Sequence, residues 1–309
     1  MNTSLNHEEA LTDLLTIKDL LRWTISQFNQ SELTYGHGTE NSHDEALNLI
    51  LGSLHLPYDV DETFLSAKLT FSEKKMIVER VQDRIINHTP VPYLVNAAWF
   101  GDLEIYVDKR VIIPRSPIAE LIQDKFNPWI AQDRVNNVLD LCTGSGCIAI
   151  LAAIHFPDAQ VDAVELSKDA IAVAKINVSR FELESQLKIF NSDLFNQLPD
   201  KKYDIIVSNP PYVDSEDYTD LPLEYLHEPK QALVASDEGL GLVIEILKHA
   251  SKYLTPHGIL IVEVGYLSDA LEARFPNIPF TWLQFEQGGE GVFLLTAKEI
   301  NEFKMTFES

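Results

Sequence analysis

Residues 138–150 read VLDLCTGSGCIAI. A short apolar run carrying a single acid leads into two glycines spaced two apart, and an apolar stretch follows. Continuous apolar runs are how parallel strands buried on both faces are written, so 138–141 predicts such a strand. Gly144 and Gly146 then fall where strand turns into helix. A turn of that kind lets backbone N–H groups approach a ligand at a helix N-terminus with no Cβ in the way. Alone, Gly144-x-Gly146-x-x-Ala149 fits the dinucleotide-binding pattern of dehydrogenases equally well.

Working outward, further apolar runs lie at 161–164, 187–190, 203–207 and 259–264, with helical stretches between them such as 167–181 and 240–253. Strands alternating with helices predict an α/β domain with a doubly wound, mostly parallel sheet. The pattern ends differently, with 281–285, Gly288-Gly289 and 292–296 forming a terminal antiparallel hairpin. Upstream, Leu11, Leu14, Leu15, Leu21, Ile25 and Phe28 mark one amphipathic helix face. Ser42-x-x-Glu45 and Thr70-x-x-Glu73 read as capping boxes opening helices that reach about Leu54 and Asn87. Alternation at Leu103, Ile105 and Val107, with 111–113 following, predicts a bridging hairpin, and 118–126 a short helix. The expected organisation is a helical substrate-recognition domain over 1–90, a β-hairpin linker over 91–115 and the α/β domain over 116–309.

Of 309 residues, 45% are hydrophobic, enough for a sizeable core. No run approaches the ~18 apolar residues of a membrane span. The N-terminus lacks the basic flank and apolar stretch of a leader, so a cytoplasmic protein is expected. Cys142 and Cys147 are too close for a disulfide framework and read as small core residues. The nine histidines show no metal-ligand spacing, so no metal is expected. Lys+Arg 24 against Asp+Glu 47 gives a net charge of −23. Direct nucleic-acid binding is therefore not expected, because a phosphate-binding face needs spare basic residues. Residues 211–240 hold eight acids against Lys230 alone, a field that repels polyanions and attracts a basic partner.

Three strand ends carry polar groups. Glu165 closes the second strand 21 residues past Gly144, the spacing at which an acid takes hydrogen bonds from ribose hydroxyls. Asp193 closes the third, within reach of a nucleobase amine. The fourth strand runs into Asn209-Pro210-Pro211-Tyr212. Two prolines remove two backbone donors and stiffen the loop. The Asn209 side-chain oxygen and the Pro210 carbonyl then form a pair of acceptors suited to the two in-plane hydrogens of a planar NH2 group. Tyr212 offers a flat face for stacking.

DLCTGSG paired with NPPY on one sheet resembles the class I S-adenosylmethionine-dependent methyltransferases that modify planar NH2 groups. The segments PVPYLVNAAWF and VIIPRSPIAELI narrow this to a resemblance to the protein-(glutamine-N(5)) methyltransferase family, over roughly residues 85–300. Asn96, Arg115-Ser116-Pro117-Ile118 and the long N-terminal region look like its branch acting on large-subunit ribosomal protein uL3 rather than on release factors. The resemblance implies a Rossmann-like fold, S-adenosylmethionine as cofactor and a basic ribosomal protein as partner. It also implies that Thr143, Gly144, Ser145 and Gly146 line the methionine part of the cofactor, with Asp140 orienting their loop. By the same resemblance Glu165 holds the ribose, and Asp193 and Leu194 border the adenine. Asn209, Pro210, Pro211 and Tyr212 would grip the glutamine amide, with Asn209, Pro210 and Tyr212 catalytic. One departure is Cys142, where the loop of the wider superfamily often has its first glycine.

Adenine methyltransferases share NPPY but must bind a polyanion, which −23 opposes. A dehydrogenase leaves NPPY unexplained. A non-catalytic binding module gives no reason to keep Asn209 and Glu165. The dehydrogenase reading is separated by one thermal-shift measurement: S-adenosylhomocysteine should raise the melting temperature, and nicotinamide dinucleotides should leave it unchanged.

Overall fold

The computed structural model describes residues 7–286 and 288–307. Residues 1–6, which carry part of the expectation of no leader, lie outside the described residues, as do Gln287 and residues 308–309. The chain divides into two compact units, one made of residues 1–98 and 222–227, the other of 99–221 and 228–309. Among the described residues no helix is long and apolar enough to cross a membrane.

The first unit is helical: α1 His7–Asp13, α2 Ile17–Asn29, α3 Ser42–Ser53, α4 Phe71–Ile86 and α5 Val91–Val95. Leu20, Leu49, Ile50, Ile77 and Val81 are fully buried at its centre. The single helix expected over Leu11–Phe28 is in fact two. Lys74 turns its ammonium onto the Leu11 and Leu14 carbonyls, and the Leu15 and Ile17 backbones pair with Leu69 and Ala67. Thr16 and Asp19 then form a capping box that starts α2 afresh. That signal was legible but uses Asp where Glu or Gln is commoner. The box at Thr70 and Glu73 forms as expected. The one at Ser42 and Glu45 does not: Asn41 caps α3, and Glu45 is buried beneath it. Asn96 closes α5 in the left-handed conformation at φ 56°, which asparagine tolerates nearly as well as glycine.

Glu45 is committed to Arg84, a fully buried arginine on α4. Arg84 also donates to the Glu224 carboxylate at 2.9 Å and to the Thr34 carbonyl at 2.9 Å. Glu224 further accepts the Thr34 N–H at 2.9 Å and meets His88 Nδ1 at 3.1 Å. Burial alone would raise its pKa. The hydrogen bonds from Arg84, Thr34 and His88 outweigh burial and hold it at about 2. His227 meets the Asn87 carbonyl at 2.6 Å.

The second unit begins with a two-stranded sheet, β1 Ala98–Phe100 and β2 Leu103–Ile105. The expected pairing of 103–107 with 111–113 does not occur. Asp108 instead accepts the Arg110 N–H at 3.0 Å and pairs with its guanidinium, making a local turn. Val107, Val111 and Ile113 are buried as separate apolar anchors. Helix α6 Ile118–Gln123 is shorter than the expected 118–126.

The main sheet follows: β3 Asn137–Leu141, α7 Cys147–His155, β4 Gln160–Glu165, α8 Lys168–Arg180, β5 Leu187–Asn191 and β6 Tyr203–Ser208. It continues with α9 Lys230–Leu233, α10 Gly241–Ala250, β7 Leu254–Glu263, α11 Ser268–Arg274, β8 Thr281–Trp282, β9 Val292–Thr296, α12 Ala297–Glu302 and α13 Lys304–Phe307. Strand order is β5-β4-β3-β6-β7-β9-β8. The first five in that order run parallel, and β9 is antiparallel to both β7 and β8. The α/β class, the parallel strands and the terminal hairpin are those expected. Strand β6 is buried along its whole length, as a central strand covered on both faces must be.

Removing Glu224 leaves buried Arg84 with Glu45 alone and takes the acceptor from the Thr34 N–H and His88. Glu224→Ala should destabilise the protein by about 3–5 kcal/mol in chemical denaturation. The lowered pKa of Glu224 contributes stability that is full above the ordinary carboxylate value of 4.5 and lost as pH falls toward about 2. Wild-type stability should therefore drop over that window more steeply than that of the Ala variant.

Candidate active site

Strand register sets the site. Leu141 lies opposite Val164 on one side and Ser208 on the other; Glu165 lies opposite Asn191, and Ser208 opposite Val262. The residues that follow therefore form one row along the carboxyl edge: Asp193 past β5, Glu165, the Cys142 loop, Asn209 and Glu263. From β3 the chain winds outward through β4 and β5, then returns to place β6 on the other flank of β3. That reversal is the crevice where open α/β sheets bind ligands.

The loop between β3 and α7 bends through three left-handed residues, Cys142 at φ 61°, Gly144 at 57° and Gly146 at 85°. Cys142 thus adopts the glycine-type backbone in spite of its side chain. The Thr143 N–H donates to the Val164 carbonyl at 2.9 Å, and the Gly144 N–H to Glu165 Oε2 at 2.9 Å. The other Glu165 oxygen takes the Ser167 N–H at 2.9 Å, at the start of α8. Each carboxylate oxygen keeps a further lone pair for another donor.

Asp140 is fully buried beneath the loop, where its Oδ2 accepts the Thr143 hydroxyl and, at 3.1 Å, the Ala149 N–H in the first turn of α7. Its Oδ1 has no partner among the described residues, and neither does the buried hydroxyl of Ser145. Burial pushes the Asp140 carboxyl up to about 7 against those two hydrogen bonds. Asn177 of α8 ties the loop down from the far side. It donates to the Ser145 and Tyr106 carbonyls, both at 2.9 Å, and accepts the Tyr106 N–H at 2.8 Å. A Cβ on Gly146 would sit 3.4 Å from that of Ala174, so α7 and α8 approach closely. A Cβ on Gly144 would meet only Ile112, at 3.7 Å.

Beyond β5, Asp193 is exposed and Leu194 buried, the latter at φ 44°. The Ser192 N–H donates to the Glu165 carbonyl at 3.1 Å, so this turn is anchored on β4.

At the end of β6 the Ser208 hydroxyl donates to the Leu141 carbonyl at 2.8 Å, locking the strand pair where both loops emerge. Asn209 is half-buried, and neither its side-chain amide nor the Pro210 carbonyl has a hydrogen-bond partner among the described residues. Pro210 is buried and Pro211 half-buried. The ring of Tyr212 rests on the backbone of Gly265: a Cβ there would lie 2.7 Å from it. Tyr266 meets that ring edge to face at 6.3 Å.

Sequence reasoning passed over Glu263, Ser116, Glu228 and Asn177. Glu263 receives the Tyr212 hydroxyl at 3.3 Å and the hydroxyl of Ser116. Glu228 is buried, grips Arg115 through two 2.7 Å bonds and takes the Ile113 N–H at 2.9 Å. Glu263 carried the signal that identified Glu165, an acid closing an apolar run. Glu228 lay hidden in the acidic stretch. Burial pushes the Cys147 thiol up to about 12, and the Cys142 thiol is raised too, which favours the protonated form of both. Among the described residues no group of three or more His, Cys, Asp or Glu is placed to hold a metal ion.

Residues 126–244 match the methyltransferase small domain family. The chain is 50% identical over 94% of its length to the ribosomal protein uL3 glutamine methyltransferase of Neisseria meningitidis serogroup B, covering 96% of that protein. It is 45% identical over its whole length to the protein of the same name from Francisella tularensis, covering 98% of it. A methyltransferase from Pyrococcus furiosus aligns at 16% identity over 74% of this chain and 99% of its own, with a TM-score of 0.45.

Two glycines of the site should respond differently to a methyl group. Gly144→Ala should cost roughly 1–2 kcal/mol for its left-handed backbone alone. Gly265→Ala, at φ 53°, adds a collision with the Tyr212 ring and should cost more in urea denaturation. Equal losses would show that Tyr212 is not seated on Gly265.

Proposed function

Because the chain belongs to the ribosomal protein uL3 glutamine methyltransferase family, we propose that it methylates a glutamine side-chain nitrogen of uL3, using S-adenosylmethionine. The observation that carries this reading is the order of groups along the sheet edge. Asp193 and Leu194 past β5, Glu165 on β4, the Thr143–Gly146 loop after β3 and Asn209 after β6 follow the strand order β5-β4-β3-β6. Adenine, ribose, methionine and methyl acceptor follow one another in the same order. Neighbouring strands are ~4.8 Å apart, so β5 and β6 are separated by roughly 14 Å, room for an extended nucleoside with an amino-acid arm.

The residues present fit that cofactor. Glu165 keeps acceptor capacity for ribose hydroxyls after binding Gly144 and Ser167. Gly144 leaves open space on its Cβ side. Its loop is held from below by Asp140. When bound, S-adenosylmethionine supplies an electrophilic methyl group on a positively charged sulfur.

The chain's own work is to present the nucleophile. An amide nitrogen is weak because its lone pair is delocalised into the carbonyl. The unpartnered Asn209 oxygen and Pro210 carbonyl would take both N–H groups of the glutamine, enriching its nitrogen and fixing its direction. The rigid proline pair spends little entropy in doing so. Bound S-adenosylmethionine would supply the methyl carbon and keep the electron pair of the S–C bond, Asn209 and Pro210 would hold the nitrogen toward that carbon, and the surplus N–H proton would pass to water. Tyr212 supplies the flat wall against which the planar amide packs. Half-buried Asp214 and exposed Glu216, Asp217 and Asp220 follow this wall in sequence, a negative approach suited to a basic protein substrate.

Intact-mass measurement of purified ribosomal proteins and release factors, incubated with enzyme and S-adenosylmethionine, tests the reading. uL3 should gain the mass of one methyl group. Asn209→Ala should lower kcat by at least ~100-fold while cofactor affinity stays unchanged. An unmodified uL3 overturns the assignment, and an active Asn209→Ala overturns the role of the amide.

A further inference from the structure

We propose that Glu263, braced by Ser116, is the positioning residue that fixes the Tyr212 hydroxyl, and through it the wall of the acceptor slot. This rests on the methyl-transfer reading above and adds a residue to that site.

Glu263 is the last residue of β7, one strand over from Asn209, and is only 5% exposed. Its two oxygens are divided between two hydroxyls. Oε1 takes that of Tyr212 at 3.3 Å and Oε2 that of Ser116. Ser116 is itself fixed, because its oxygen accepts the Ile118 N–H at 3.2 Å at the head of α6. The carboxylate thus joins the end of β7, the start of α6 and the NPPY loop. Gly265 seats the Tyr212 ring; Glu263 decides where the hydroxyl points. The terminal hairpin closes over the same place. A Cβ on Gly289 would lie 2.9 Å from Pro117, next to Ser116, and one on Gly291 would overlap the Gly265 carbonyl.

A buried carboxylate with two hydroxyl donors and no ion pair among the described residues is costly as a structural device. Arg115, whose charge acts on Glu263, is held in a bidentate pair with Glu228. On the far side of Tyr212 stands Tyr266, whose hydroxyl meets Asp217 at 3.2 Å. Val292 of β9 lies opposite Glu263 and brings no charge. Burial pushes Glu263 up to about 7, against the lowering influence of Ser116, Tyr212 and Arg115. Ionised, it can only accept, so the Tyr212 hydroxyl must point at it. Protonated, it gains a donor and keeps one acceptor oxygen, so the Tyr212 hydroxyl is no longer compelled to point at it. The single direction of that hydroxyl is therefore imposed above about pH 7 and relaxed below it.

Steady-state kinetics on uL3 test this with Glu263→Ala, Glu263→Gln, Tyr212→Phe and the Ala/Phe double variant. Glu263→Ala and Tyr212→Phe should each lower kcat by about tenfold, with KM for S-adenosylmethionine within about twofold, and the double variant should be no worse than either. Glu263→Gln, neutral like the protonated acid and able to donate as well as accept, should hold kcat at the wild type's low-pH level at every pH. The acid limb of wild-type kcat near pH 7 should be missing from the Gln variant. Multiplying losses in the double variant, or an acid limb that survives in Glu263→Gln, would overturn the proposal. A wild type that methylates nothing refutes the methyl-transfer reading instead. The positioning link is then read without substrate, from ring-labelled tyrosine NMR. The Tyr212 signal should shift with a midpoint near pH 7 in the wild type and stay flat in Glu263→Gln, and a flat wild-type signal also overturns it.

Discussion

The hydrogen bond from the Gly144 N–H to Glu165 Oε2, 2.9 Å long, is the joint on which the site depends. Parallel strands end with backbone groups that no neighbouring strand can satisfy, and here one carboxylate collects them. By taking Gly144 with one oxygen and Ser167 with the other, Glu165 fixes the loop after β3 to the start of the helix after β4. Such charge-assisted bonds are shorter and stronger than neutral ones, so the loop is set before any ligand arrives. Asp140 below and Asn177 behind complete the frame. Three of the five residues from Cys142 to Gly146 have left-handed backbones, a strained geometry that persists because its surroundings over-determine it.

At the Asn209 loop, rigidity comes from covalent structure and packing. Pro210 and Pro211 restrict the backbone, Ser208 locks β6 to β3, and Gly265 admits the Tyr212 ring. The Asn209 amide stands out because it is left without a partner among neighbours whose polar groups are largely satisfied. A half-buried polar side chain with unmet hydrogen bonds, at the crevice of an α/β sheet, is what a polar ligand would complete.

The stretch 211–240 serves two purposes that its composition merges into one. Glu224 and Glu228 are buried, each neutralised by an arginine, Arg84 in the helical unit and Arg115 in the sheet unit. Between the paired residues Val213 and Val234 the chain leaves the sheet, gives 222–227 to the helical unit and returns. The remaining six acids face solvent to varying degrees and carry the local negative field. Two acids thus act in folding and six in electrostatics.

Local patterns determined much of this protein by themselves. The apolar runs specified the parallel strands, the glycine pair specified the turn after β3, and Asn209-Pro210-Pro211-Tyr212 specified an acceptor-rich, donor-poor loop. These are properties of short segments, set by periodicity and by the backbone limits of glycine and proline. Tertiary structure alone decided the remainder. Whether Glu45 would cap a helix or bury itself against Arg84 depended on a residue 39 positions away. Whether Val111 and Ile113 would pair as a strand or anchor singly depended on the Asp108 turn and on Glu228, 115 positions from Ile113. Glu263 acquired its place beside Tyr212 only through the register of β6 with β7. A carboxylate looks the same in sequence whether it meets water, an arginine or a tyrosine. Only the fold, by removing the water, makes that difference matter.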